Sequence, residues 1–336
     1  MLRRPTVLRL LAVAVVAVAA VFVVMRPPEP PPLTFPGGKA FAFTIVDDTD
    51  MATLARLKPI YGVLEKYGLR TTRTTWVYET NDPANPANRG DSLQNPEYRA
   101  FLLDLQTKGF EIALHGVRGG NSPRADIVRG LDEYRDVLGA YPTIQINHSL
   151  NRDNLYWGPH LYTIAPMRWA ARLAIRQPFD GHDPSSPNYW GDLARQHVKY
   201  VRRFTYSEIN LRRVVPDMPY HLDDMPDVRY WFATSNGDRV VEFEALLSDE
   251  NIARLEREHG VCLVYAHLGA GSFSTPEGVN PRFEARIRAI AARNGWFVPA
   301  STILDFLASQ PSWSGGMSFK ERLRLDAKFV AQRLGL

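Results

Sequence analysis

The sequence places carboxylates and imidazoles at the ends of apolar runs. Phe41 to Val46 runs into Asp47-Asp48-Thr49-Asp50, Phe110 to Leu114 into His115-Gly116, and Val261 to Ala266 into His267-Leu268-Gly269. His148, in Asn147-His148-Ser149, follows a further short apolar stretch. Neutral imidazole is the commonest protein metal ligand. Two adjacent carboxylates divide naturally into one that ligates a divalent ion and one that takes a proton, since a cation relieves their repulsion. A histidine without a metal suits a general acid. Consecutive strand residues face opposite sides, but where the chain turns at a strand end both acids can approach one site. Asp50 is read equally well as a cap for the helix that follows.

Each run is short, rich in β-branched and aromatic residues, and closed by small or polar residues. These are signs of buried parallel strands. In parallel α/β folds the carboxyl ends of the strands share one face, and sites form there. Between the runs, helical spacing is read over 51–67, 95–108, 124–138, 249–259, 282–294 and 301–308, with a further helix near 167–176. Ser248 caps the helix at 249, and Gly68 and Gly109 stop two others. Residues 80–94, rich in Asn, Pro and Asp, read as a long loop. Alternating strands and helices imply parallel strands with right-handed crossovers. Without a GxGxxG, P-loop or GxSxG motif, the pattern favours a distorted (β/α) barrel of about seven strands over an open nucleotide-binding sheet.

The pattern resembles the polysaccharide deacetylase, or NodB-homology, superfamily (carbohydrate esterase family 4). Ile45-Val46-Asp47-Asp48-Thr49 is similar to its Thr-Phe-Asp-Asp-Gly motif, with only the Asp pair matching outright. His115-Gly116-Val117-Arg118-Gly119 stands where that family has His-Ser/Thr-x-x-His, and Val264-Tyr265-Ala266-His267 is similar to its Leu-x-x-His strand end. The resemblance covers roughly residues 39 to 308. It implies Asp47 as catalytic base, His267 as acid, Asp48 and His115 as ligands of a divalent metal, most readily zinc, and an N-acetylated glycan as substrate. Gly119 stands in place of the second histidine ligand. His148 is the first choice to replace it, with Asn121 and Asp50 as alternatives. Two other readings stand beside the hydrolase: a catalytically silent carbohydrate-binding or assembly module, and a hydrolase acting on another C–N or ester bond.

The chain has 336 residues and a formal charge of +4. Arg3, Arg4, Arg9 and Arg26 flank the apolar run Leu10 to Met25; the 40 basic residues less these four leave 36 against 36 acidic. A neutral body argues against a nucleic-acid partner. The apolar run, with Arg9 snorkelling, is just long enough to span a bilayer. Its flanking arginines predict an uncleaved signal anchor over residues 1–26 that holds the remainder outside the cytoplasm. Residues 27–38 read as a Pro-rich linker, 39–310 as the barrel, and 311–336 as a packed amphipathic helix. Cys262, the lone cysteine, lies in an apolar run and reads as a buried, inert thiol. The aromatic loops at Tyr156-Trp157 and Tyr189-Trp190 suit either sugar stacking or closure of the barrel mouth.

Overall fold

The computed structural model describes residues 30–276 and 278–335. The expected membrane anchor lies outside the described residues; among those described, no helix is long and apolar enough to cross a membrane. Seven parallel strands close into a barrel: β1 (Phe41–Asp47), β2 (Thr72–Thr75), β3 (Glu111–Leu114), β4 (Ile144–Gln145), β5 (Tyr200–Tyr206), β6 (Tyr230–Asn236) and β7 (Val261–Ala266). β7 returns to pair with β1 from Ala42↔Val261 to Asp47↔Ala266. A small antiparallel hairpin, β8 (Ser274–Thr275) with β9 (Gly278–Val279), stands outside the barrel. An eighth parallel strand, β10 (Gly295–Phe297), takes the lower half of the opposite edge of β1, so β2 reaches only Val46 and Asp47. This divided edge is the distortion of the barrel.

The helices are α1 (Leu54–Lys66), α2 (Pro96–Thr107), α3 (Arg124–Leu138), α4 (Ala165–Ala174), α5 (Gly191–His197), α6 (Val240–Leu246), α7 (Asp249–Arg257), α8 (Pro281–Ala291), α9 (Ala300–Ala308) and α10 (Phe319–Arg333). Their ends follow the local chemistry. The Ser248 hydroxyl accepts the Asn251 N–H, as its capping position predicts. Ser318 and Glu321 form a reciprocal capping box at the start of α10. All seven residues of β1 are buried, which is why its sequence is mostly apolar rather than alternating. Cys262 in β7 is fully buried too, and burial pushes its thiol up to about 12.

Both ends of the described chain pack on the barrel. Leu33 and Phe35 are buried, Phe35 against Trp296 and Phe306. At the other end, α10 inserts Phe329 against Phe204, with ring centroids 4.8 Å apart. Its Asp326 carboxylate accepts the N–H groups of Thr163 and Ile164 at 2.8 and 3.0 Å. Gln332 ties the helix to the end of β5 by accepting from Ser207 N–H and donating to Thr205 O.

A buried ion pair fastens β1 to β2. Arg73 Nη1 lies 2.7 Å from Asp47 Oδ2, and both side chains are wholly buried. Tyr61 of α1 donates to the same oxygen at 3.0 Å, and Leu268 N–H, beyond β7, to the other at 2.8 Å. Arg73 also donates to Asp48 O, to the Thr49 hydroxyl and to Tyr98 of α2. Burial raises the Asp47 pKa more than Arg73 and the hydrogen bonds lower it. Removing one partner of such a pair strands the other charge in the core. Arg73→Met is therefore expected to lose about 3–5 kcal/mol in chemical denaturation. The double variant Asp47→Asn/Arg73→Met is expected to lose less than the sum of the single changes; simple additivity would show that the pair is not coupled.

Candidate active site

The alternation of β1 decides which acids reach the barrel mouth. Asp47, the expected base, faces the helix layer, where Tyr61, Arg73 and Leu268 N–H take up its oxygens, and it does not line the mouth cavity. Asp48 faces the opposite way, into the barrel. Both of its oxygens meet the guanidinium of Arg202 on β5, at 3.0 and 2.6 Å. Strand alternation thus persists through the strand end and keeps the adjacent acids apart. The carboxylate that joins Asp48 on the inner side is Asp50, two residues on.

Asp50 sits at the centre of three imidazoles. Its Oδ2 lies 3.0 Å from His115 Nε2 and 3.0 Å from His267 Nε2, and its Oδ1 lies 2.7 Å from His148 Nε2. Burial alone would raise the Asp50 pKa, but the imidazoles of His115, His148 and His267 close around it hold it well below the usual carboxylate range. Among the described residues, Asp50, His115 and His148 form one group able to hold a metal ion, and Asp48, Asp50 and His267 a second. Asp48, expected as a ligand, is committed to Arg202, whereas Asp50 has no cationic side chain other than imidazole. His115 and His148 do meet as expected.

The donor set of Asp50, His115 and His148 fits a divalent ion. Neither ring nitrogen of His115 is hydrogen-bonded, nor is Nε2 of His148, although all are buried. Their close approach to Asp50 lacks hydrogen-bond direction, as expected of lone pairs that converge on a common point. Nδ1 of His148 lies 2.9 Å from Asn151 Oδ1, so Nδ1 carries a proton and the neutral ring would turn its Nε2 lone pair to Asp50. Such outer partners are what fix the tautomer of metal-binding histidines. Trp76 packs against both rings, 4.7 Å from His115 and 5.1 Å from His148.

The Asp50 turn is held by the long loop read at 80–94. Met51 N–H donates to Arg89 O at 2.6 Å, Asp91 N–H to Ala52 O at 2.9 Å, and the Asp91 carboxylate accepts the first N–H of α1 at 2.6 Å. Asp91, not Asp50, therefore serves the start of α1. Gly90, at φ +150°, leaves room only for a hydrogen: a Cβ there would lie 2.7 Å from Thr49 O. Met51 adopts φ 56°, a left-handed conformation uncommon outside glycine.

The remaining expected ligands lie elsewhere. A side chain at Gly119 would strike the Asn88 backbone at 2.2 Å, so this fold excludes a histidine there. The Asn121 side chain accepts Arg152 N–H on the surface. His267 does reach the cavity. Its Nδ1 bonds Asp238, its Nε2 faces Asp50, and Tyr265 OH is 3.5 Å away. Burial would lower its pKa, but the bonds to Asp238 and Asp50 raise it to about 10. Arg202, Asp238 and Tyr265 carry no motif of their own; only their positions near strand ends could have flagged them.

These groups line one cavity of about 550 Å³ at the barrel mouth, a volume usual for small-molecule sites. Trp157, Leu161 and Phe329 give it an apolar wall; Asn147, Thr205 and Asn236 give a polar one. The aromatic loops divide. Trp157 faces the cavity, whereas Tyr156 is buried with its hydroxyl on Asp227 and Trp190 is buried with its indole N–H on Asp153 O.

No family model and no curated protein matches the chain. Among solved structures, it is similar to a Mycobacterium smegmatis protein assigned as a polysaccharide deacetylase, at 12% identity over 85% of this chain and 96% of that chain, TM-score 0.47. It is also similar to PuuE allantoinase, at 11% identity over 85% of this chain and 96% of that one, TM-score 0.48. A polysaccharide deacetylase from Bacillus cereus is similar at 9% identity over 77% of this chain and 91% of that one, TM-score 0.35.

Proposed function

We propose that this chain is a metal-dependent hydrolase that removes acetyl groups from N-acetylated glycan, held outside the cytoplasm by its N-terminal apolar segment. One observation carries the reading. A three-donor group (Asp50, His115, His148), an arginine-held carboxylate (Asp48) and a carboxylate-held imidazole (His267) all face one cavity. The glycan and the acetyl group come from the motif resemblance, and the membrane segment from the run Leu10 to Met25 between arginines.

Asp50, His115 and His148 would hold the ion, and two histidines with a carboxylate suit zinc. A bound divalent ion would polarise the acetyl carbonyl and lower the pKa of water at the site. Asp48 takes the proton from the attacking water. Its two bonds to Arg202 fix the carboxylate in place, so little orientational freedom is lost during reaction. His267 gives its proton to the departing amine nitrogen, and Asp238 on Nδ1 orients the ring and stabilises its charged form. The resemblance pointed to Asp47 as base; this reading moves that role to Asp48 and the ligand role to Asp50.

Two measurements test the assignment. In zinc titrations of metal-stripped protein, Asp50→Ala is expected to weaken binding by more than the roughly 10–100-fold typical of outer-shell changes. Asp48→Asn is expected to bind zinc nearly as the parent does. Binding is expected to change Trp emission, and Trp76→Phe to remove most of that signal while leaving stoichiometry intact. In acetate-release assays on N-acetylglucosamine oligomers, Asp48→Asn and His267→Gln are expected to lose about 10²–10⁴ in kcat, with Asp47→Asn affecting stability far more than kcat. Stoichiometric zinc without acetate release would remove the deacetylase assignment. Glycan binding by a protein that takes up no metal would favour the silent binding module.

A further inference from the structure

A second cleft, of about 580 Å³, opens away from the catalytic cavity and shares no lining residue with it. It lies at the amino end of β6, where Tyr230 is the first strand residue, while Asn236 at the other end lines the catalytic cavity. Six residues of extended chain separate the two by about 20 Å.

The cleft has a fixed aromatic corner. Trp313 donates its indole N–H to Pro219 O at 2.7 Å, and its ring meets that of Tyr230 at 62°, with centroids 5.6 Å apart. Gly315 lies so close to the indole that a Cβ there would come within 3.0 Å of it. The loop over the ring is itself fixed, because His221 N–H donates to Gly315 O at 2.7 Å. The corner is thus built before any ligand arrives.

The cleft is also cationic. Arg322 is neutralised by Asp224, and the exposed Asp223 lies 3.6 Å from His221. Arg195 and Arg229 have no carboxylate partner among the described residues; Arg229 donates only to the Arg195 carbonyl, at 3.0 Å. Two guanidinium groups without a carboxylate partner thus line the same cleft as Trp313 and Tyr230, against one exposed carboxylate, Asp223. Guanidinium binds carboxylate in a planar, two-bond fork, and an aromatic face packs on the apolar C–H face of a ring. A ligand that satisfies both is a pyranose ring bearing a carboxylate.

We propose that this cleft is a saccharide site, selective for an acidic sugar unit, separate from the cavity at the barrel mouth. It stands whether or not the catalytic reading does.

Isothermal titration of the full chain in detergent micelles tests it. The probe is a hexasaccharide of alternating glucuronate and N-acetylglucosamine, with the neutral N-acetylglucosamine hexamer for comparison. The acidic hexamer is expected to bind more tightly. Arg195→Gln/Arg229→Gln, an exposed change that leaves the core intact, is expected to weaken it by about tenfold or more, since each lost charge-assisted bond is worth about that factor. The same variant is expected to leave binding of the neutral hexamer unchanged, and Asp50→Ala is expected to leave binding of the acidic hexamer in place. Trp313→Leu is expected to weaken binding of the acidic hexamer. Equal affinity of parent and double-arginine variant for the acidic hexamer overturns the proposal. So does loss of its binding in Asp50→Ala alone, which would place the sugar in the catalytic cavity.

Discussion

The buried pair of Asp47 and Arg73 is the constraint on which the mouth of this barrel depends. It joins β1 to β2 where they share only two residues in register. Through Tyr61, Tyr98 and Leu268 N–H it also fastens α1, α2 and the turn after β7. The β1 edge is weak because β10 occupies its lower half. A charged pair in that position is costly to bury, and its partners must be complete for it to persist. Here they are: both Asp47 oxygens are engaged, and Arg73 reaches the backbone and side chain of the two residues that follow Asp47. The pair therefore fixes more than the strands. It sets the direction in which the chain leaves β1, and so the positions of Asp48 and Asp50.

From that direction the site follows. With Asp47 tied to the helix layer, Asp48 must face inward, where Arg202 crosses the barrel to meet it. The chain then turns, and the left-handed Met51 with the Gly90 contact holds Asp50 above the imidazoles. Asp48 and Asp50 are thereby set two residues apart, on the same side, and each is given a different partner. Asp48 meets Arg202 and Asp50 meets the imidazoles, although oxygens of both acids lie within 4.8 Å of one another.

The barrel was legible because its signals are local. Apolar runs of strand length, helical spacing between them, and Gly or Ser at the helix ends all reappear in the folded chain, within a few residues of the expected bounds. The meeting of His115, His148 and His267 was legible too, since parallel strands bring their carboxyl ends together whatever the sequence between them. The choice among Asp47, Asp48 and Asp50 was not. It depends on whether alternation survives the strand end, and that is decided by Arg73, a lone charge in a run of threonines that shows no motif. Arg202 and Asp238 were invisible for the same reason: their roles exist only across the barrel. Gly119 read as a missing ligand, but its cause lies in Asn88, which occupies the space a side chain would need.

The polar accounting of the mouth separates stability from function. Asp48 has Arg202, and Asp238 has His267. The groups around Asp50 are different, because three buried ring nitrogens of His115 and His148 lack any hydrogen bond. Leaving a buried polar group unsatisfied costs about 1–3 kcal/mol. Apolar residues of similar shape at these two positions would avoid that cost, and Trp76 already offers them a packed wall. A divalent cation between Asp50 and the Nε2 atoms of the two rings, as proposed above, would engage both nitrogens at once and offset the charge of the carboxylate.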